Sequence, residues 1–192
     1  MIRRLLLIPA APICLGLACL AAAPAPKAAP AKAPAAKAAP AKPAAKPAPA
    51  EPYDARNPQS LMDILGAAGA KVQTSRKEAD AVFVTVTSTA ANFSLQFAGC
   101  NPQGRSCQAA LYDSLLDGAA PTLSQINGFN QTSVFCRAYQ DKAGKPHAIY
   151  AALLVKSDTR ETALTHLAAW QGCLGEARTF VRDPVAYLAE AA

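Results

Sequence analysis

The chain has 192 residues, enough for one domain, and a formal charge of +6. All 13 acids lie from Glu51 onward and seven of the 19 cations precede position 50, so residues 51–192 carry 12 cations against 13 acids, a net −1. A nucleic-acid reader needs its positive footprint on the folded surface, and this charge distribution argues against one.

Residues 1–23 read as a secretory signal. Arg3 and Arg4 form the charged start, and Leu5 to Ala23 is uncharged and apolar. Ala21-Ala22-Ala23 offers small residues to a signal peptidase, although Pro24 disfavours cleavage directly after Ala23, which leaves Ala21 as an equal site. The stretch also reaches the length of a short membrane span, so an uncleaved anchor is the alternative. Gly16 stands where a lipoprotein signal before Cys19 usually has Leu. The expectation is a periplasmic or secreted protein, membrane-anchored if the leader stays.

Residues 24–52 contain only Pro, Ala and Lys apart from Glu51, with Lys27, Lys32, Lys37 and Lys42 five apart. Frequent Pro blocks helix and no side chain offers a core, which predicts an extended linker reaching about 90 Å. It reads either as a plain spacer or as a weak polycationic contact with a membrane or cell wall.

Every aromatic residue lies at or after Tyr53, so residues 53–192 are the expected globular domain. Asn57 can cap a helix with Pro58 in its first position, Leu61, Ile64 and Leu65 form its apolar stripe, and Gly69 ends it. Val82, Val84 and Val86 alternate with Phe83, Thr85 and Thr87 as a strand, and Phe93, Leu95 and Phe97 mark another. The turn Asn101–Ser106 sends Cys107 to Leu116 back as the partner strand. Cys100 and Cys107 at the mouths of that turn are placed opposite each other, and the same register pairs Phe97 with Ala110 and Leu95 with Tyr112. Export implies an oxidising compartment, so a structural disulfide is expected there in preference to a redox or metal pair. Asp113 and Asp117 near the strand end are expected to be solvated.

A short helix is predicted over Thr122–Asn130, with Leu123, Ile126 and Phe129 on one side. Asn127 and Asn130 are poor helix formers and need a reason. Either a side chain ties the helix to neighbouring backbone, or the two flank Phe129 in a partner-binding spot. Ser133–Gln140 and Ala148–Lys156 form a second hairpin around Asp141–Lys145. Asp158 and Glu161 read as a capping box for a long final helix, whose buried face carries Ala163, Leu167, Trp170, Leu174, Ala177 and Val181. Cys136 on a strand and Cys173 on this helix are candidates for a second disulfide joining helix to sheet.

This order predicts a single α+β domain: one antiparallel sheet with N-terminal, central and C-terminal helices packed on it. His147 and His166 are expected at the surface, without the spacing of metal ligands. No phosphate loop, nucleophile elbow, dinucleotide glycine pattern or zinc-protease motif occurs, so neither catalysis nor a cofactor or metal is expected.

Ile126-Asn127-Gly128-Phe129-Asn130, Phe135-Cys136-Arg137-Ala138-Tyr139, and Asp141 with Gly144 before an apolar strand resemble the YbjN-domain family. Phe97-Ala98-Gly99-Cys100 with Cys107 is similar to its exported members. The resemblance covers about Ser60–Phe180 and implies a fold like the type III secretion chaperones, which bind proteins, often as dimers. Family members are described as bacterial sensory transduction regulators. The implied role is a non-enzymatic interaction or regulatory module, whose partner is an envelope protein or a second copy of the chain.

Overall fold

In a computed structural model, which describes residues 52–118 and 120–191, the domain is one six-stranded antiparallel sheet with four helices. The leader and nearly all of the linker, with Cys14 and Cys19, fall outside the described residues. The elements run α1 (Pro58–Ala67), β1 (Lys71–Lys77), β2 (Ala81–Thr87), β3 (Asn92–Ala98), β4 (Ala109–Leu115), α2 (Leu123–Thr132), β5 (Arg137–Gln140), β6 (Pro146–Leu153), α3 (Arg160–Arg182) and α4 (Pro184–Glu190). Spatially the strands lie in the order β1-β2-β3-β4-β6-β5, so the chain leaves the sheet after β4, forms α2, and returns at the far edge.

Side-chain alternation sets two rows of residues toward the helices. Val84, Leu95, Tyr112 and Tyr150 pair across four strands, and Val82, Phe97, Ala110 and Ala152 form the next row. All eight are buried, facing the helices. The expected pairings of Phe97 with Ala110 and Leu95 with Tyr112 are both present. Tyr112 centres the core, with the rings of Phe93, Tyr150 and Trp170 5.5–6.2 Å away. A second aromatic group joins Phe129 of α2, Phe180 of α3 and Tyr187 of α4, with centroids 4.7–5.6 Å apart.

Local sequence sets the helix ends. Asn57 Oδ1 accepts from the Gln59 N–H and Pro58 fills the first helical position, as expected; Gly69, at φ +86°, reverses the chain after α1. Thr122 and Gln125 form a reciprocal capping box on α2. The cap of α3 differs from the expected Asp158–Glu161 pair. Asp158 Oδ2 instead accepts from the Val155 N–H at 2.9 Å, closing a turn, and Thr159 with Thr162 caps the helix one residue later.

Three further differences have physical reasons. β1 carries almost no periodic signal, because only Val72 is half-buried on this edge strand. Leu123 is 72% exposed, since it starts α2 before the helix reaches the core; Ile126 and Phe129 supply the buried side. The last helical segment is two helices, because Asp183 leaves helical geometry and caps α4 through the Ala186 N–H.

Candidate functional site

Both expected disulfides are present, Cys100–Cys107 across seven residues and Cys136–Cys173 across 37. The first closes the β3–β4 turn, and the Cys107 N–H donates to the Arg56 carbonyl, tying the hairpin to the segment before α1. The second joins the loop before β5 to α3, with both cysteines fully buried. Two such bridges call for an oxidising, extracytoplasmic environment.

The α2–β5 corner shows what its asparagines do. Asn130 Nδ2 donates to the Ala138 carbonyl at 3.0 Å, and the Ala138 N–H donates to Asn130 Oδ1 at 2.8 Å. Ala138 lies on an edge strand, so its outward backbone groups would otherwise lack a partner. The Asn130 amide stands in for one residue of a missing neighbouring strand. Phe129 is fully buried against Phe180 and Tyr187, while Asn127 is exposed. Of the three residues, Asn127 alone faces solvent freely. Glu176 of α3 ties the corner together, accepting from Ser133 Oγ at 2.9 Å and Tyr187 Oη at 2.7 Å. Burial and the bond to Glu176 push the Tyr187 phenol up to about 12. Beside the corner, Val134 is 88% exposed and Phe135 half-exposed, an apolar tip with no signal in the sequence pattern.

Among the described residues, the opposite face of the sheet has no helix on it. Across it Gln96, Leu111 and Ala151 share one row, Ser94, Asp113, Ile149 and Arg137 the next, and Ala109 and Leu153 lie at one end. Leu153 is 78% exposed, with Leu111 and Ile149 half-buried only by their strand neighbours.

At the other end of this face, four polar side chains converge from β4, β5, β6 and the β5–β6 turn. His147 Nδ1 lies 3.0 Å from Asp113 Oδ1, and Nε2 lies 3.7 Å from Asp141 Oδ2. Tyr139 stacks on the His147 ring at 4.8 Å, and its hydroxyl donates to Asp113 Oδ2 at 2.6 Å. Burial, then the Asp113 carboxylate, holds the Tyr139 phenol well above its ordinary range. The Lys145 N–H and then the Ala143 N–H, both donating to Asp141 Oδ1, hold its carboxyl below the usual value. Neither histidine is a free surface group as expected, because His166 Nδ1 lies 2.7 Å from Tyr150 Oη. Asp113 is likewise engaged and not merely solvated. His147 and Asp113 are 34 residues apart, and only the β4–β6 pairing makes them neighbours.

This cluster orients an imidazole between two carboxylates, and no Ser, Thr or Cys side chain bonds to its free edge among the described residues. Its contacts pin the β5–β6 turn to β4. Among the described residues no group of three or more His, Cys, Asp or Glu side chains is placed to hold a metal ion, and no helix is long and apolar enough to cross a membrane.

A pocket of about 190 Å³ opens between α1, the β2–β3 turn and α3. Trp170 forms part of its wall, 1% exposed, and its Nε1 has no hydrogen-bond partner. A buried donor left unmade costs about 1–3 kcal/mol.

No protein-family model, curated protein or solved structure matches the chain.

Proposed function

We propose that this chain is an exported, non-enzymatic protein-interaction or regulatory module of the bacterial envelope, of the kind the YbjN-domain resemblance implies. Its partner is an envelope protein or a second copy of the chain, and the contact surface is the helix-free face of the sheet. The observation that carries this reading is that face itself: Ile149, Ala151 and Leu153 follow one another along β6, Leu111 pairs with Ala151, and no helix among the described residues lies over them. An antiparallel sheet exposed on one side normally presents polar residues there. An apolar strip beside Arg137, Asp113 and His147 has the layout of an interface, a greasy centre with a charged border.

Further support comes from the two disulfides, from the secretory reading of residues 1–23 and from the near-neutral domain charge. Periplasmic placement or release belongs to this proposal, with anchoring as the outcome of an uncleaved leader.

The test is affinity capture from envelope extracts with the oxidised protein, beside a double variant Ile149→Glu and Leu153→Glu. Neither residue belongs to the buried core, and Ile149 pairs with Asp113, so thermal unfolding should fall modestly with the variant still folded at the capture temperature. A specific protein, or the chain itself, should be captured by the wild type and lost with the variant. Equal capture by both would reject the face, and capture of nothing specific would reject the role.

The Lys/Ala/Pro linker supports one alternative, a structural protein contacting anionic wall or membrane polymers. Deleting residues 26–50 and fractionating cells separates the two: envelope association lost with the linker favours the alternative.

A further inference from the structure

His147 meets a carboxylate on each edge of its ring. Nδ1 lies 3.0 Å from Asp113 Oδ1 on β4, and Nε2 lies 3.7 Å from Asp141 Oδ2 in the β5–β6 turn. Both carboxylates are fixed by other bonds. Asp113 Oδ2 accepts from the Tyr139 hydroxyl at 2.6 Å, and Asp141 Oδ1 accepts from the N–H groups of Ala143 and Lys145. Tyr139 stacks on the ring, with centroids 4.8 Å apart, and keeps its edges aimed at the two acids.

A neutral imidazole carries a single N–H. Given to Asp113, the closer oxygen, it leaves the Nε2 lone pair facing Asp141 Oδ2, acceptor against acceptor. Given to Asp141, it leaves the same mismatch with Asp113 at 3.0 Å. Only the imidazolium can donate to both. One proton therefore changes the sign of the contact between ring and turn.

Charged and titratable groups approach the ring from three elements. Asp113 belongs to β4, Tyr139 to β5 and Asp141 to the turn, where Lys142 and Lys145 are exposed and screened by solvent. Arg137 of β5 is engaged elsewhere, donating to the Ser133 and Cys136 carbonyls. Among the described residues no helix lies on this side. The Asp141 carboxyl is held below its ordinary 3.8, so it stays charged through the range near neutral pH in which imidazoles titrate.

We propose that His147 is a proton-operated clamp, which when protonated fastens the β5–β6 turn to β4 and so sets the shape and charge of that end of the helix-free face. The clamp holds below the histidine range and is released as pH rises through it. His147 lies on that face, paired with Leu115 and two residues before Ile149 on β6. Release loosens the turn and adds a full negative charge to the border of the apolar strip. Contact there is accordingly favoured on the acid side, a consequence that rests on the reading of this face as the partner surface. The clamp itself does not rest on it.

The chain has two histidines, so a long-range nitrogen–proton spectrum of the full oxidised chain distinguishes both rings. As pH is raised from about 5.5 to about 8, His147 should lose the proton on Nε2 and keep the one on Nδ1. The Lys142 and Gly144 backbone amides should shift with the same midpoint. Asp141→Asn keeps the oxygen that the turn N–H groups bond to, and its amide can pair with either state of Nε2. In that variant the ring should still titrate, while the turn amides stop following it. Turn amides that stay level through the His147 step, or follow it equally in Asp141→Asn, would overturn the clamp. So would a neutral ring that keeps Nε2–H and loses the proton on Nδ1. Capture from envelope extracts should be up to about fivefold stronger at the lower pH for the wild type, the worth of one ion pair, and level for the variant. Equal specific capture by the wild type at both pH values would overturn the tuning of the face. Capture of nothing specific at either pH would reject the partner surface, with the spectra alone deciding the clamp.

Discussion

Asn130 shows how one side chain can replace part of a strand. It satisfies both backbone groups of Ala138, which is 3% exposed, so its loss leaves a buried donor and a buried acceptor unpaired. Asn130→Ala is expected to cost about 2–4 kcal/mol. Asn127→Ala, at an exposed position three residues earlier, should stay within about 0.5 kcal/mol. Urea unfolding of both variants checks the contrast, and equal costs would contradict it. The sequence reading gave the two asparagines the same alternatives, and the structure separates them. Asn130 follows Ile126 by four and so joins the buried side, whereas Asn127 is turned away from it. The engagement of His147 was not legible in that way, since Asp113 lies three elements upstream and meets it only through strand pairing. The pocket was hidden for the same reason. Trp170 reads as one more position on a buried helical stripe, and nothing in local sequence shows that its indole nitrogen lacks a partner.

Elements were read best where a short-range rule decides them. Asn101 and Asp141 each open a five-residue turn in which the side-chain Oδ1 accepts from the N–H four residues on, with a glycine at φ +73° or +75° before a cation. Such a turn needs only its own residues, so both hairpins were visible in sequence. β1 was missed because an exposed edge strand has no buried face to alternate. The α3 cap was displaced because Asp158 serves the preceding turn, a competition between two local rules that spacing alone cannot settle. Asp141 links the β5–β6 turn to pH. Its carboxyl is held below its ordinary 3.8 by backbone N–H donors, so the stabilising contribution is complete above that value and is lost as pH falls through the lowered one. Amide exchange at Ala143 and Lys145 should therefore gain protection with rising pH across the acid range, relative to intrinsic rates, and Asp141→Ala should remove that dependence. Protection that falls with rising pH would contradict it. The disulfides give a second comparison between elements. Loop-closure entropy predicts about 2.5 kcal/mol for Cys100–Cys107 and about 4 kcal/mol for Cys136–Cys173. Paired serine variants should follow that order in chemical unfolding. A peptide map made without reductant should show both links, and free thiols at either pair would remove the oxidising environment from the account.

For the whole molecule, the α+β class and the single sheet followed from alternation and helix signals, because those are local. Which face stays open did not follow. Leu111, Ile149 and Leu153 are as apolar as their buried neighbours, and only the placement of α1, α2 and α3 on the other side exposes them. That asymmetry puts the helices and the pocket beside Trp170 on one side of the sheet and the exposed strip on the other. The most direct test of the proposed role is photo-crosslinking in intact cells from an unnatural residue at Leu153, beside one at Val185 on α4, which is also exposed. A discrete crosslinked partner, or a dimer, from position 153 and not from 185 is the result expected. A discrete adduct from 185 alone, or none from either position, would contradict it.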